Sequence, residues 1–305
     1  MLSQNKSLKP EVSLKQILDK FYEEFNFKER LEHDPIEFPL RYSDPDDAEV
    51  AGFIAACFAY GKVELFKPVI EKILMPGEKH PAQFFANFRL KKDRKYFKDI
   101  RYRFNKEKDI LCLVFILGRI LQKWGSLKNL FYNFYESGHE DIRNALDGFV
   151  DCFLGMDTSD VYGKNIRPQG LTQLIPLPEK KSACKRMNLF LRWMVRTGDI
   201  DLGIWDKIPP SKLIIPLDTH IAKISKCLGL TKRSAPDWKT AEEITGALKQ
   251  FDPVDPLKYD FALCHQGISG ACRGEGYSAA CSLCIFSGKQ KEANEAPFII
   301  KKMVV

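Results

Sequence analysis

The sequence predicts an all-α protein, and three observations carry that expectation. Apolar residues recur at helical spacing along most of the chain. Helix-starting and helix-stopping residues bracket those stretches, and no segment shows the strict alternation of a half-buried strand. The chain has 305 residues, enough for one large domain or two closely packed lobes around a substantial core. Hydrophobic residues make up 45% and charged residues 29%, which places it with folded globular chains rather than disordered ones. The longest apolar runs, such as 110–117, are too short to cross a bilayer. The N-terminus carries no apolar signal segment, so the expected location is the cytoplasm.

Taken in order, residues 11–30 place Leu14, Ile17, Leu18, Phe21 and Phe25 on one face and predict an amphipathic helix. Ser43-Asp44-Pro45 is a helix start, and the small apolar residues 50–60 that follow predict a buried helix ended by Gly61. Residues 63–74 predict the next helix, stopped by Pro76-Gly77; 109–124 and 141–154 predict two more. The stretch 155–181 reads as irregular, with Pro168, Pro176 and Pro178 as breakers. Helices are then expected over 182–196, 221–228, 239–251 and 259–268, joined by short connections. No repeat or low-complexity segment is present.

The net charge of +7 is concentrated. Residues 89–108 hold ten Lys/Arg and three Asp/Glu, interleaved with Tyr96, Phe97, Tyr102 and Phe104. Such a segment suits a phosphate backbone; the alternative is a solvated charged face whose aromatics enter the core. Of nine cysteines, Cys57, Cys112, Cys152, Cys184 and Cys227 sit singly in apolar or helical patterns, as small buried hydrophobes do. Cys264, Cys272, Cys281 and Cys284 cluster near the end.

Two segments are candidates for chemistry. In Pro216-Leu217-Asp218-Thr219-His220 an Asp stands at a helix start, where its carboxylate can accept backbone N–H bonds. The functional alternative is an ionised carboxylate beside a pocket, able to activate a nucleophile or to offset developing positive charge. In 182–196, Met187, Phe190, Leu191 and Met194 form the buried stripe, while Lys185, Arg192 and Arg196 fall on another face. A lysine flanked by arginines and partly desolvated is the setting of an amine nucleophile; a basic surface stripe is the alternative.

The run from Pro216-Leu217-Asp218-Thr219-His220 through Tyr259-Asp260-Phe261-Ala262-Leu263 to Cys272, Cys281 and Cys284 resembles the C-terminal half of the endonuclease III type. That type belongs to the helix-hairpin-helix, Gly/Pro-rich, Asp (HhH-GPD) superfamily of DNA glycosylases. The resemblance covers roughly residues 45–285, and its most specific part is the Asp218 turn. The whole chain also resembles an uncharacterised bacterial family of that superfamily. The resemblance implies a two-lobed helical fold with a cleft between lobes, and Asp218 as the catalytic carboxylate. It implies a central lobe over 45–213 with an aberrant hairpin near 171–196, and a C-terminal lobe over 214–288. A helical segment over 1–44 would pack on the C-terminal lobe, and 289–305 would form a tail.

The hairpin signature of the superfamily is missing, and two lysines compete for the nucleophile. Residues 176–183 can be laid over the hairpin, which puts Lys181 on the catalytic lysine, but it then lies 37 residues before Asp218, about twice the usual spacing of the superfamily. Lys185 lies 33 before it, nearest to the archaeal 8-oxoguanine glycosylase branch, and is preferred. The resemblance implies DNA contacts from Tyr60, Gly61, Lys62, Arg103, Arg186, Arg192 and Arg196, with Tyr60-Gly61-Lys62 pushed toward the base stack. Trp193 is the candidate to stack on a flipped base, against the alternative of a core tryptophan. Cys272, Cys281 and Cys284 resemble an iron–sulfur loop with a longer first gap and no fourth cysteine. Cys264 would complete a [4Fe-4S] cluster, or His265 a zinc site; three free thiols are the remaining alternative. The implied function is base-excision repair: a monomeric, nucleoid-associated glycosylase, with or without AP-lyase activity, acting on double-stranded DNA with a damaged base such as an oxidised purine. A non-catalytic nucleic-acid-binding protein on the same fold is the alternative.

Overall fold

Among the described residues helix accounts for 61% and strand for 3%, so the all-α expectation holds. The computed structural model describes residues 13–178, 182–270 and 272. Ser13 opens the first helix, α1 (Leu14–Glu23), through a capping box with Gln16. The single helix expected over 11–30 is broken, because the Asn26 side chain accepts the Glu29 N–H and starts α2 (Phe27–Arg30) afresh. The break lets Phe25 and Phe27 both reach Phe261, at ring distances of 6.1 and 5.8 Å.

Asp44 caps α3 (Pro45–Phe58) by accepting the N–H groups of Asp46 and Asp47, with Pro45 at its first position. The helix is apolar all round and buried from Asp47 to Phe58. Of its two buried carboxylates, Asp47 and Glu49, the latter accepts from the backbone N–H of Leu127 (2.7 Å) and Lys128 (2.9 Å) and from Trp205 Nε1 (2.9 Å). Burial still pushes the Glu49 carboxyl up to about 7. Next come α4 (Val63–Leu74), α5 (Pro81–Ala86), α6 (Leu90–Asp93) and α7 (Glu107–Trp124). They are followed by α8 (Leu127–Tyr132) and α9 (Arg143–Leu154). Residues 155–178 are more ordered than their prolines suggest: they contain α10 (Ser159–Tyr162) and α11 (Gln169–Leu174).

The helix expected over 182–196 is α12 (Lys185–Val195). It crosses α3 at Gly52, where a Cβ would lie 2.9 Å from Met194 Cε, so the missing side chain sets how closely the two helices pack. After a two-residue hairpin, β1 (Thr197–Gly198) with β2 (Asp201–Leu202), the chain continues to α13 (Thr219–Cys227), α14 (Trp238–Lys249) and α15 (Asp260–Ile268). α1 lies against the region just before α15: Tyr259 Oη donates to Asp19 at 2.5 Å, and Lys258 pairs with the same carboxylate at 3.1 Å. Among the described residues no helix is long and apolar enough to cross a membrane.

Candidate active site

Three chain segments meet at one cleft. The first is the end of α3, whose C-terminal carbonyls point toward α12. Lys185, the first residue of α12, donates from Nζ to Ala59 O at 3.2 Å, and Arg186 donates to Cys57 O at 3.3 Å. The last carbonyls of a helix lack partners within it, and two cations from the neighbouring helix supply them here. Cys184, just before Lys185, has φ 47°, a left-handed conformation that a non-glycine residue adopts only under constraint. Its buried thiol donates to Pro176 O at 3.1 Å and helps hold that turn.

The second segment brings Asp218. Ile215 N–H donates to Thr245 Oγ1 at 3.0 Å, which pins the extended approach to α13. Asp218 Oδ1 then accepts the N–H groups of His220 and Ile221, both at 2.9 Å, and caps α13. Oδ2 takes no part in that cap. It faces Lys185 Nζ at 4.0 Å, with the lysine side chain 31% and the carboxylate 18% exposed. It also receives the Cys264 thiol from α15 at 3.5 Å. α15 comes this close because Gly267 lies against His220: a Cβ there would sit 2.7 Å from the His220 Cβ. Burial beside Asp218 and Asp260 pushes the Cys264 thiol well above its ordinary range.

The cleft in front of this trio has a volume of about 300 Å³ and is lined in part by Tyr60, Lys185, Arg186, Leu217 and Pro236. Of the trio Lys185 is in its wall; Asp218 Oδ2 stands 4.0 Å from that amine and 3.5 Å from the Cys264 thiol. That set can take a proton from the amine, present the amine to an electrophilic carbon, and offset positive charge on that carbon.

The third segment is the loop after α3. Tyr60 donates from Oη to Asn105 Oδ1 at 2.6 Å, and its carbonyl accepts from Tyr102 Oη. The Tyr60 ring lies between two guanidinium groups, Arg186 at 4.8 Å and Arg103 at 5.9 Å. Gly61 (φ 86°) and Lys62 are exposed at the rim. A second cavity of about 600 Å³ opens beyond Arg103, with Arg94, Arg101, Arg103, Lys106 and Lys108 in its wall. All ten cations of the 89–108 segment are exposed, while Phe97 and Tyr102 are buried and Tyr96 and Phe104 face outward. The aromatics of the segment thus divide by residue, two entering the core and two facing outward.

Several expected site residues are placed otherwise. Arg192 and Arg196 are 2% and 3% exposed and form no surface stripe. Arg192 pairs with Asp260 at 2.5 Å and Asp201 at 3.3 Å; Arg196 pairs with Asp255 at 2.7 Å and also with Asp201. Their guanidinium groups are committed to buried carboxylates and do not reach a phosphate. Trp193 is fully buried, so it is a core tryptophan and not a stacking platform. Arg186 remains in the cleft wall, donating to Gln173 O as well as to Cys57 O. Lys181, Cys281 and Cys284 lie outside the described residues. Cys272 N–H donates to Gln266 O at 3.2 Å. Among the described residues no group of three His, Cys, Asp or Glu side chains is placed to hold a metal ion. Cys264 Sγ lies 3.5 Å from Asp218 Oδ2, and His265 Nε2 faces Asp34 Oδ2 at 3.1 Å.

Sequence reasoning missed the pairing of Cys264 with Asp218. The signal present was the spacing of Asp260 and Cys264, which puts both on one helical face.

A family model described as "Protein of unknown function (DUF2400)" matches residues 34–269. The chain belongs to that family. The matched span contains every residue of the cleft and ends short of Cys272. No curated protein and no solved structure matches the chain.

Proposed function

We propose that this DUF2400 protein is a DNA base-excision glycosylase of the HhH-GPD type, with Lys185 as amine nucleophile and Asp218 as its carboxylate partner. The observation that carries the reading is the approach of Lys185 Nζ, in the wall of an open cleft, to the uncapped oxygen of Asp218 at 4.0 Å. The succession of α11, a connection and α12, with the lysine on the first turn of the second helix, supports it. The ten exposed cations of 89–108 support duplex DNA as the partner.

In this reading a damaged base turns out of the stack and its sugar enters the cleft. The lysine amine attacks C1′, the bond from C1′ to the base nitrogen breaks, and the base leaves with a proton. Asp218 accepts the proton released by the amine and offsets positive charge on the sugar. The C1′–O4′ bond then breaks, O4′ taking a proton, to leave a Schiff base; loss of a C2′ proton expels the 3′ phosphate, which gives AP-lyase activity.

Borohydride trapping on a duplex containing 8-oxoguanine, alongside a panel of other lesions, tests this. The expected result is base release with a covalent adduct that disappears in Lys185→Ala. Base release without an adduct would leave Asp218 activating water and remove Lys185 from the chemistry. A second reading, a nucleic-acid-binding protein without catalysis, draws on the structural work of both groups: Lys185 supplies a hydrogen bond to the end of α3, and Asp218 caps α13. Duplex binding without release of any base would favour it.

A further inference from the structure

Phe104 is 72% exposed, the most exposed of the large apolar side chains described. It sits at the tip of a two-residue turn. Tyr102 N–H donates to Asn105 O at 3.0 Å and Asn105 N–H donates to Tyr102 O at 2.8 Å, with only Arg103 and Phe104 between them. Arg103 has φ 50°, a conformation that a hairpin turn of this length favours but that an arginine adopts only when its surroundings hold it.

Those surroundings are rigid. Both flanking residues are buried, Tyr102 at 5% and Asn105 at 1% exposure. The Asn105 amide donates to Gly170 O at 2.8 Å and its carbonyl accepts from Tyr60. Gly61 leaves room for the turn: a Cβ there would lie 2.7 Å from Tyr102 Oη and 2.8 Å from the Arg103 guanidinium. An apolar ring is thus held out into solvent on a fixed base, beside the cleft of Lys185 and among the exposed cations Arg101, Arg103 and Lys106.

Tyr60 is the aromatic that the sequence pointed to as entering a base stack. Its hydroxyl is bound to Asn105 and its ring is held between two guanidinium groups, so it is a wall of the turn and not free to insert. An exposed aromatic ringed by cations fits a surface that is anionic outside and flat and aromatic inside, which is the cross-section of a nucleic-acid duplex opened at one step. A partner protein would meet the same cations with carboxylates but gives no reason for a rigid, single ring.

We infer that Phe104 is the wedge this protein inserts into the base stack of duplex DNA where a nucleotide has been displaced. The inference rests on the proposed DNA-directed function.

The test uses the full chain and two duplexes of equal length, one intact and one with a tetrahydrofuran abasic site beside 2-aminopurine. Binding is read by anisotropy and stacking by 2-aminopurine fluorescence. The wild-type chain is expected to bind the abasic duplex and change its fluorescence. Phe104→Ala should lose roughly tenfold or more in affinity for the abasic duplex. It should lose less than about threefold on the intact one, and it should abolish the fluorescence change. Phe104→Trp should retain both. Arg103→Ala, which removes a phosphate contact, should weaken both duplexes alike. Because Phe104 is exposed, its thermal midpoint is expected to match wild type. Equal binding and fluorescence for wild type and Phe104→Ala would overturn the wedge while leaving the Lys185 chemistry standing. An equal loss on both duplexes would also overturn it, making Phe104 an ordinary surface contact. If the wild-type chain binds neither duplex, the DNA-directed function fails and the wedge with it.

Discussion

Asp218 divides its two oxygens between two tasks. Oδ1 satisfies two backbone N–H groups at the start of α13, and Oδ2 faces Lys185 and Cys264. The capping and catalytic readings of this residue were both legible in the sequence, and they are compatible because each uses a different atom. The two tasks separate by mutation. Asp218→Asn keeps an acceptor for the cap, so its unfolding free energy should stay within about 0.5 kcal/mol of wild type, whereas Asp218→Ala should lose about 1 kcal/mol. Both should lose base release, measured under single-turnover conditions. An Asn variant that keeps full activity would show that the charge of Oδ2 is not used. Cys264 was not legible as Asp218's neighbour. The two residues lie 46 positions apart, and their contact depends on how closely α13 and α15 approach at Gly267.

At the scale of elements, helical periodicity located most of the helices but misjudged one face. Lys185, Arg192 and Arg196 do share a side of α12 in spacing, and from spacing alone that side reads as a basic surface. The carboxylates that neutralise the two arginines come from β2, from the segment before α15 and from α15 itself, so no local pattern announces them. The arginines therefore stabilise the fold where α12, the hairpin and α15 meet. Arg192→Ala would leave Asp260 buried without its partner and Asp201 with Arg196 alone, at a cost of about 3–5 kcal/mol. Denaturant unfolding should show that loss. If Arg192→Ala leaves stability unchanged and instead weakens DNA binding, Arg192 is a surface contact after all. The start and caps of α3 were legible because Asp44 and Pro45 carry them locally. The break between α1 and α2 was not, since Asn26 sits inside an apolar pattern that continues across it.

Across the whole molecule, charge is segregated: one exposed segment carries +7 and the remainder sums to zero. A duplex bound along that segment should show strong salt dependence, with log K falling against log salt at a slope of about −0.9 per phosphate neutralised. Replacing Arg101 and Lys106 together by Ala should make the slope shallower by about two and weaken all duplex sequences alike. A slope unchanged by the double substitution would place the DNA elsewhere. The all-α class was legible because helical periodicity is a local property. The cleft was only partly so, since it is assembled from segments 126 and 33 residues apart that meet through long-range packing.

The central claim is that the amine of Lys185 attacks the sugar. The most direct measurement is to reduce the complex with borohydride on a lesion-bearing duplex, digest the adduct and identify the modified residue by mass spectrometry. One modified peptide is expected, with the sugar remnant on Lys185, and none should form in Asp218→Asn. A remnant on Lys181 or any other lysine, or base release with no adduct at all, would contradict it.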